Sequence, residues 1–371
     1  MKKVVHIFWS LTFGGIETML VNIVNAQVQS NVDVYVIIIN DMYEKSLLDA
    51  IDKRVKIRFV NRERHSRSPF FICRLNNLLS KIEPDVIHLH DSSIYNYLFF
   101  SYRKKTCCTL HAMPSGNVRK NTSILRLLPL ALVDFLFKQS GNLQSIDRIP
   151  RVLSISNTVK VSLFDKVGVD SMVIHNGIVV CCFKQRITDY AGGKFRIVQV
   201  SRLDHEKKGQ DLLIKAIGNM RNRDNVDVDF IGDGESFDYL NQMVHDLRLD
   251  DQIHFLAKKD QNYIAEHLCD YHLFVQPSRF EGFGLTVAEA MAAKLPVLVT
   301  DDQGPAEVTC GNKYGWTFMN GRADDLSEKM DYIIDHYHEA NTKSIEALQY
   351  VADNYDVKMT AKKYLDIYDS L

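Results

Sequence analysis

The sequence predicts an α/β protein made of two doubly wound domains, each with a parallel sheet that helices cover on both faces. Short, uninterrupted apolar runs recur along the 371 residues, and each is followed by a helical pattern. Such runs are typical of strands buried on both faces, and their alternation with helices indicates parallel strand–helix–strand units. After a first strand at 4–8, the runs lie at 34–39, 86–89, 151–155, 197–200, 228–231, 273–275 and 297–299.

The division into two domains follows from length and from a restart of this pattern. The length suits two domains, and the strand pattern begins again after the loose, glycine-containing stretch 187–194. We therefore predict a first domain at 1–188, to which a C-terminal helix at 357–371 returns, and a second domain at 189–356. In sheets of this kind ligands bind beyond the carboxyl ends of the strands, so we expect a cleft between two facing domains.

Composition describes a globular protein with two electrically different halves. Hydrophobic residues make up 46% and charged residues 25% of the chain, which is ordinary for a globular domain. Residues 1–185 hold 24 lysines and arginines against 14 aspartates and glutamates, whereas the remainder holds 21 against 32. The basic first half favours an anionic partner. It contains no groove-reading motif or aromatic platform, so we expect no nucleic-acid partner.

Several absences in the sequence indicate a cytoplasmic protein. No run of eighteen apolar residues occurs, so no membrane-spanning helix is predicted. Residues 1–10 read as a buried strand without a cleavage site, so no signal peptide is predicted. Seven cysteines without C-x-x-C spacing indicate reduced thiols.

The most informative stretch is 277–296, where a glycine-broken loop carrying Glu281 runs into a short helix carrying Glu289. Gly284 and Leu285 stand where that helix begins, and unpaired N–H groups at a helix start suit a phosphate. The two carboxylates suit sugar hydroxyl groups, so the stretch suggests a nucleotide sugar. Alternatively, Glu289 merely completes a capping box with Thr286, and Glu281 is a solvated loop residue.

A second loop, 201–209, follows a predicted strand and carries two cations. Arg202 offers a fork of donors for a diphosphate, and Lys208 offers a point charge beside a glycine. Both can converge on one pyrophosphate. The alternative is a solvated basic loop.

Two glycine turns also follow strands. Gly14 and Gly15 precede a helix that we expect to start near Glu17, and their backbone amides can meet an anion. Gly232 and Gly234 follow another strand, where backbone can approach a base or ribose.

Histidines mark the ends of two strands in the first half. His111 follows a strand and can bond a substrate hydroxyl or phosphate, unless it is structural. His88 and His90 lie on one face of a strand. Without a third ligand in register, we expect no metal site there.

Basic and apolar residues mix in the segments 62–74 and 119–138. This composition suits an anionic membrane surface or a lipid-diphosphate acceptor. The alternative is an amphipathic helix packed beside the ligand site.

Together the motifs resemble glycosyltransferase family 4, the retaining enzymes with the GT-B fold of two facing Rossmann-like domains. The resemblance covers nearly the whole chain, and the spacing of Glu281 and Glu289 matches that family's E-x(7)-E signature. The motifs stand in the family's order at 14–17, 84–88, 109–111, 154–156, 176–178, 201–209, 232–234 and 277–289.

The resemblance implies a role for each site residue. Arg202 and Lys208 would bind the donor diphosphate with the amides of Gly284 and Leu285. Glu281 would hold hydroxyls of the donor sugar. The nucleotide end would meet Glu289 at the ribose, with Gly232 and Gly234 near it. In the other domain, His111 would lie near the transferred sugar, and Gly14 and Gly15 would line the cleft.

The function implied is transfer of a hexose or N-acetylhexosamine from a nucleoside-diphosphate sugar, UDP before GDP, with retention of anomeric configuration. The acceptor would be a glycan or a polyprenyl-diphosphate-linked saccharide of cell-surface polysaccharide synthesis, at the inner face of the membrane. We expect no metal and no cofactor, because two cations and a helix start can compensate the leaving diphosphate. Two positions depart from the family: Val179 replaces a common aspartate, and Ala257 replaces a common glycine.

Two other functions stay open at this point. A nucleotide-sugar epimerase can share the fold, although the sequence offers no clear acid/base pair for one. A non-catalytic sugar-nucleotide binding protein is the second alternative.

Overall fold

A computed structural model describes the chain except for residues 13, 65, 67, 115–145, 188–189 and 191. The segment 119–138, which the sequence assigns to the acceptor side, lies outside the described residues. The chain divides into two compact units, one of Met1–Gly177 with Val357–Leu371 and one of Ile178–Asp356.

The boundary between the units lies earlier than the sequence places it. The Ile178 amide donates to the Tyr355 carbonyl at 2.9 Å, so the chain joins the second unit there. The Lys184 amide likewise donates to the Ala265 carbonyl at 2.9 Å. The sequence of residues 178–188 has no strand pattern, so nothing in it indicates these bonds. For that reason the sequence-based boundary lies later, where the strand pattern begins again.

The first unit contains a parallel sheet of seven strands within the described residues, in the order β3-β2-β1-β4-β5-β6-β7. Strands β1 and β4 are neighbours, with His6 opposite His88. The strands are β1 (Lys2–Phe8), β2 (Val32–Asn40), β3 (Lys56–Arg62), β4 (Val86–Leu89), β5 (Thr106–Leu110), β6 (Arg151–Ser154) and β7 (Met172–Val173).

Helices of the first unit join these strands, and the local sequence determines where several of them begin and end. The Ser156 hydroxyl caps the helix Asn157–Val167 by accepting from the Val159 amide, and Gly168 ends that helix in the left-handed conformation. The C-terminal helix packs on the first helix of the same unit. The described helices are Gly15–Gln27, Lys45–Asp49, Phe70–Ile82, Phe100–Arg103, Asn157–Val167 and Val357–Tyr368.

The second unit repeats the design with a parallel sheet in the order β10-β9-β8-β11-β12-β13. From β8 the strands are added in one direction through β9 to β10, and then in the other direction from β11 to β13. The switch point, where doubly wound sheets bind ligands, therefore lies between β8 and β11. The strands are β8 (Phe195–Val200), β9 (Val226–Ile231), β10 (Ile253–Phe255), β11 (Leu273–Gln276), β12 (Val297–Thr300) and β13 (Trp316–Phe318).

Helices also flank this second sheet. The helix Leu285–Ala292 begins after Gly284, whose φ of 95° is left-handed, and Pro296 lies just beyond its end. The described helices are His205–Lys208, Gln210–Asn219, Phe237–Asp246, Gln261–His267, Leu285–Ala292, Gly304–Val308, Ala323–Asp335 and Tyr337–Asn354.

The prediction of two doubly wound parallel sheets is confirmed. Central strands are fully buried, as continuous apolar runs require: every residue of β4, β11 and β12 is inaccessible to solvent or nearly so. None of the helices in the described ranges has the length and apolar character needed to cross a bilayer.

Candidate functional site

The loops that follow β8 and β11 come together at the switch point of the second sheet. The Lys207 carbonyl accepts hydrogen bonds from the backbone amides of Arg279 at 2.8 Å and Phe280 at 3.2 Å. The loop 201–209 is therefore joined directly to the loop that carries Glu281. These are the two loops on which the sequence places the donor diphosphate and the donor sugar.

An ion pair between Lys208 and Glu281 connects the side chains of the two loops. Both side chains are partly accessible, at 22% and 19% exposure. The Gln276 side-chain amide lies 3.4 Å from the same Glu281 oxygen, and the Gln199 amide donates to the Lys208 carbonyl at 2.9 Å. The structure thus brings together two residues that the sequence assigns to neighbouring parts of one ligand.

Arg202 lies in the same loop but makes a separate ion pair. Its guanidinium donates to the Asp204 carboxylate at 3.0 Å, and the Arg202 side chain is 64% exposed. The buried Asp204 also pairs with Lys207 at 3.3 Å. Because Arg202 is held only at an exposed position, its side chain can turn to a ligand at small cost.

Arg279 is a second arginine of the site, but its guanidinium is committed to the protein. It forms a bidentate pair with Asp211 at 2.7 and 2.8 Å and donates to the His205 carbonyl at 2.6 Å. Such a planar fork is rigid as well as strong. Arg279 therefore stabilises the junction of the two loops, a role that sequence reasoning missed.

A third loop, after β12, completes the arrangement. The Gly304 amide donates to the Glu281 carbonyl at 3.0 Å, and the Glu281 amide donates to the Gln303 side chain at 3.1 Å. Glu281 is thus fixed by its backbone as well as by its ion pair. Gln303 was not predicted from the sequence, where its one signal is a place in the loop that follows β12.

The helix Leu285–Ala292 starts beside this ion pair without a side-chain cap. Its N-cap residue is Gly284, in a conformation that side-chain-bearing residues rarely adopt. An uncapped helix start presents N–H groups and the positive end of the helix dipole. This is the geometry that the sequence analysis expects of Gly284 and Leu285.

Glu289 is buried within the same helix, with 8% exposure. The Gln261 side chain donates to Glu289 Oε1 at 2.9 Å. Burial raises the pKa of Glu289 to about 7, although the bond from Gln261 opposes the shift. The capping-box alternative does not hold, because the N-cap is Gly284 and the Thr286 hydroxyl lies 3.5 Å from Gln276.

Gly232 and Gly234 lie against the loop that carries Arg202. A Cβ atom would come within 1.9 Å of the Ser201 carbonyl oxygen at Gly232 and within 2.3 Å of the Leu203 carbonyl oxygen at Gly234. Close backbone packing therefore accounts for both glycines. Their contact with a nucleotide stays a prediction.

In the first unit, Gly14 is the N-cap of the helix Gly15–Gln27, which starts two residues earlier than the sequence indicates. The Glu17 carboxylate folds back toward this turn and accepts a bond from the Thr12 hydroxyl at 3.3 Å. Burial raises the pKa of Glu17. A carboxylate at this helix start means that an anion binding to Gly14 and Gly15 would have to displace it.

His111 follows β5 and is one end of a row of histidines. Its Nε2 lies 3.0 Å from His90 Nδ1, and His90 Nε2 lies 3.0 Å from His6 Nδ1. His111 Nδ1 is buried, and no hydrogen-bond partner for it exists among the described residues. Burial lowers the pKa of His6 and His111 to about 4.

The third histidine that the sequence analysis found missing is present, and it is His6. It lies opposite His88 in the sheet, and ligand nitrogens of His6, His88 and His90 lie within 4.8 Å of one another. The expectation that no third residue stands in register is therefore wrong. The His88 nitrogens have hydrogen-bond partners of their own, at 2.6 Å to Tyr368 and 2.8 Å to Thr109, so hydrogen bonding already accounts for this cluster.

Two family models match the chain in succession. The model described as Glycosyltransferase Family 4 matches residues 13–180, and the model described as Glycosyl transferases group 1 matches residues 183–349. Together they cover most of both structural units.

Curated relatives agree with these models. The phosphatidylinositol N-acetylglucosaminyltransferase GPI3 subunit of Saccharomyces cerevisiae is 27% identical over 315 residues, covering 80% of this chain and 66% of that protein. The poly(ribitol-phosphate) alpha-N-acetylglucosaminyltransferase of Staphylococcus aureus is 28% identical over 162 residues, covering 43% of this chain and 32% of that protein. The chain thus spans less than two thirds of the length of these relatives.

Solved structures show the same fold. Anabaena Alr3699/HepE, crystallised with UDP and glucose, superposes with a TM-score of 0.80 at 19% identity over all of both chains. A glycosyltransferase from Rickettsia africae superposes with a TM-score of 0.77 at 19% identity, covering 100% of this chain and 98% of that one.

Proposed function

The chain belongs to glycosyltransferase family 4, and we propose that it transfers a hexose or N-acetylhexosamine from a nucleoside-diphosphate sugar with retention of configuration. The acceptor is a glycan or a lipid-linked saccharide, and the reaction needs no metal ion. The observation that carries this proposal is the Lys208–Glu281 ion pair at the switch point, beside an uncapped helix start.

The donor diphosphate is assigned to Lys208, Arg202 and the helix start at Gly284 and Leu285. As the sugar leaves its diphosphate, negative charge grows on the phosphate oxygens. We assign the stabilisation of that charge to Lys208 and the helix dipole in their present positions, and to Arg202 after it turns from Asp204 at small cost. Three positive partners reduce the need for a metal ion, and this supports the metal-independent assignment.

Glu281 is assigned to hydroxyls of the donor sugar. Its ion pair with Lys208 keeps the carboxylate next to the cation that receives the diphosphate. A sugar hydroxyl and the phosphate attached to C1 are separated by a few bonds, so adjacent donor and acceptor groups match the ligand. Because Glu281 is engaged by hydroxyls, we do not assign it as a covalent nucleophile. Retention then follows from attack on the same face from which the diphosphate departs.

Glu289 is assigned to the ribose, and the nucleotide to the loops around it. Its Oε1 accepts from Gln261, and we assign its Oε2 to a ribose hydroxyl. We assign the nucleotide as UDP in preference to GDP, and the UDP bound in the Anabaena structure supports this preference. Gly232 and Gly234 would approach the same end of the ligand.

In the first unit, we assign His111 to a hydroxyl of the transferred sugar. Its ring is neutral near pH 7, because burial lowers its pKa to about 4. A neutral imidazole with a buried nitrogen open to a ligand can accept or donate one hydrogen bond. Gly14 and Gly15 are assigned to the acceptor side.

The acceptor is assigned to a lipid-linked or cell-surface glycan, with contact to the inner face of an anionic membrane. Phe70 and Phe100 are 73% and 75% exposed, and the Phe99 amide donates to the Asn76 side chain, which joins their two helices. Large exposed aromatics near basic residues such as Arg74 are typical of membrane-surface contacts. The names of the yeast and staphylococcal relatives support an acceptor of this class.

A thermal-shift screen tests the proposal directly. Nucleoside diphosphates and their sugars should raise the melting temperature through linkage, UDP compounds more than GDP compounds. Incubating the protein with the stabilising donor alone then separates the alternatives. Slow release of nucleotide supports a transferase, a changed sugar indicates an epimerase, and binding without turnover in the presence of glycan acceptors indicates a binding protein.

A further inference from the structure

A row of side chains runs through the first unit from His111 to Gln27. It crosses three adjacent strands and ends on the helix Gly15–Gln27. The steps are 3.0 Å from His111 to His90, 3.0 Å from His90 to His6, and 2.7 Å from His6 Nε2 to Gln27 Oε1. His90, His6 and Gln27 are all buried.

Each ring in this row is neutral, because burial lowers the pKa of all three histidines below its usual range. A neutral imidazole has one N–H donor and one bare nitrogen acceptor. If one nitrogen of a ring donates, the other must accept. The hydrogen bonds along a row of such rings therefore all run from donor to acceptor in the same direction. The group at the buried end of the row sets that direction.

Gln27 stands at the buried end of the row, and its side-chain amide oxygen faces His6. His6 Nε2 must donate to that oxygen, so His6 Nδ1 is an acceptor. It accepts the hydrogen bond that the N–H of His90 Nε2 donates. His90 Nδ1 is then an acceptor and receives the N–H of His111 Nε2. His111 Nδ1 is left as a bare acceptor.

A second branch from Gln27 agrees with this direction. The Gln27 amide nitrogen donates to the Tyr368 hydroxyl at 3.3 Å, and that hydroxyl donates to His88 Nδ1 at 2.6 Å. His88 Nε2 then donates to the Thr109 hydroxyl at 2.8 Å, which donates to Tyr364 at 3.3 Å. Every bond in the branch has one donor and one acceptor.

Reversing the Gln27 amide would reverse both branches. His111 Nδ1 would then carry a proton, in a buried position with no acceptor among the described residues. Buried donors without a partner are rarer than buried acceptors without one. The orientation with the oxygen on His6 is therefore favoured.

We infer that Gln27 is a positioning residue, which acts through His6 and His90 to hold His111 in the tautomer whose Nδ1 accepts a hydrogen bond. The inference deepens the proposed function and rests on it for the role of His111. In that tautomer His111 Nδ1 accepts a hydrogen bond from a sugar hydroxyl, and it cannot donate one to the ring oxygen of the sugar or to a phosphate oxygen. Gln27 itself touches no substrate.

Nitrogen-15 NMR of histidine-labelled, full-length protein without ligand tests the direction of the row. We expect Nδ1 of His111, His90 and His6 to resonate as unprotonated nitrogens, and each Nε2 as a protonated one. A protonated Nδ1 at His111 overturns the inference. This measurement needs no turnover, so it is independent of the proposed function.

Substitution of Gln27 tests control of the tautomer. Gln27→Met removes the acceptor at similar size, and Gln27→Glu retains one. We expect the His111 signals of Gln27→Met to shift toward a mixture of tautomers, with kcat at least tenfold lower and KM for the donor within about twofold. Gln27→Glu should restore the Nδ1 signature and most of kcat.

Tyr364→Phe is the matched control, because it shortens the second branch and leaves the His111 row intact. We expect it to retain the His111 signals and kcat. Unchanged His111 signals in folded Gln27→Met would overturn the inference, and if that variant does not fold, the wild-type signals decide alone. Absence of any transfer by wild-type protein would instead refute the proposed function.

Discussion

The ammonium of Lys208 and the carboxylate of Glu281, 73 residues apart in sequence, form an ion pair at the switch point of the second sheet. The pair joins the loop after β8 to the loop after β11, so the residues proposed for phosphate and for sugar are held side by side. The backbone bonds from Arg279 and Gly304 fix the same loops. These loops are therefore held together by the protein itself, which is the condition for electrostatic preorganisation at the proposed donor site.

Glu281→Gln should separate sugar recognition from phosphate binding. The change removes the charge that we propose accepts sugar hydroxyls, and it releases Lys208 from its ion pair. We expect kcat/KM for the sugar nucleotide to fall about 100-fold or more, while the affinity for free nucleoside diphosphate stays equal or increases. Titration calorimetry and initial rates measure the two effects, and Glu266→Gln, at an exposed position of the helix Gln261–His267, is the control. Equal losses of both quantities would contradict the assignment.

Glu289→Gln should stabilise the protein at neutral and alkaline pH and weaken nucleotide binding. The pKa of Glu289 is raised to about 7 in the folded protein, so the folded state binds its proton more tightly than the unfolded state. The contribution of Glu289 to stability is present below about pH 4.5 and is lost as pH rises through 7. We expect the variant to gain roughly 1–3 kcal/mol at pH 8 relative to its difference at pH 5. Denaturant titrations at both pH values measure this, and an identical difference at both would refute the shift.

The buried histidines should make the protein sensitive to acid. Burial lowers the pKa of His6, His88, His90 and His111, so the unfolded state binds protons that the folded state excludes. Their contribution to stability is complete above about pH 6.5 and is lost as pH falls toward 4. We expect His6→Gln, which removes one such group, to reduce the slope of unfolding free energy against pH in this window. No change in slope would mean that His6 already titrates normally.

Ala257→Gly should stabilise the second unit. Ala257 has a φ of 53°, in the left-handed region that glycine adopts freely. We expect a gain of about 1 kcal/mol in unfolding free energy. Ala347→Gly, within the helix Tyr337–Asn354, is the control and should destabilise by at least a similar amount. A loss of stability in Ala257→Gly would show that the backbone strain is not the dominant effect.

The membrane contact can be tested by sedimentation with vesicles. We expect binding to vesicles containing phosphatidylserine at low salt, weaker binding at high salt, and little binding to neutral vesicles. Phe70→Ser with Phe100→Ser should abolish binding without changing the response to nucleotides. Phe237→Ser, at an exposed phenylalanine of the second unit, is the control. No sedimentation of wild-type protein with anionic vesicles would exclude the contact.

The extent to which the sequence predicts the fold depends on where each strand lies. Central strands such as β4 and β12 are continuous apolar runs and were predicted with close to their observed bounds. The edge strand β3 was missed because Val60 is its one buried residue and three of its seven residues are charged (Lys56, Arg58 and Arg62), so it forms no continuous apolar run. Such a strand resembles an irregular polar segment until its neighbour β2 is known.

The candidate site shows a similar division. Residues that follow strands in recognisable motifs, such as Lys208 and Glu281, were named from the sequence, and the ion pair brings them together. Gln27 and His6 were not, because one lies at the end of an ordinary helix and the other inside a strand. Only the pairing of strands and the packing of that helix place them in line with His111. The spacing of residues in the sequence predicts neither of these.

The most direct test of the donor site is the kinetic effect of removing both cations. In Arg202→Ala with Lys208→Ala, kcat/KM for the preferred nucleotide sugar should fall by about 30- to 1,000-fold, equivalent to roughly 2–4 kcal/mol of transition-state stabilisation. The control Lys207→Ala, from the same loop, should retain wild-type rates. Full activity in the double variant would contradict the account, because the leaving diphosphate would then be stabilised elsewhere.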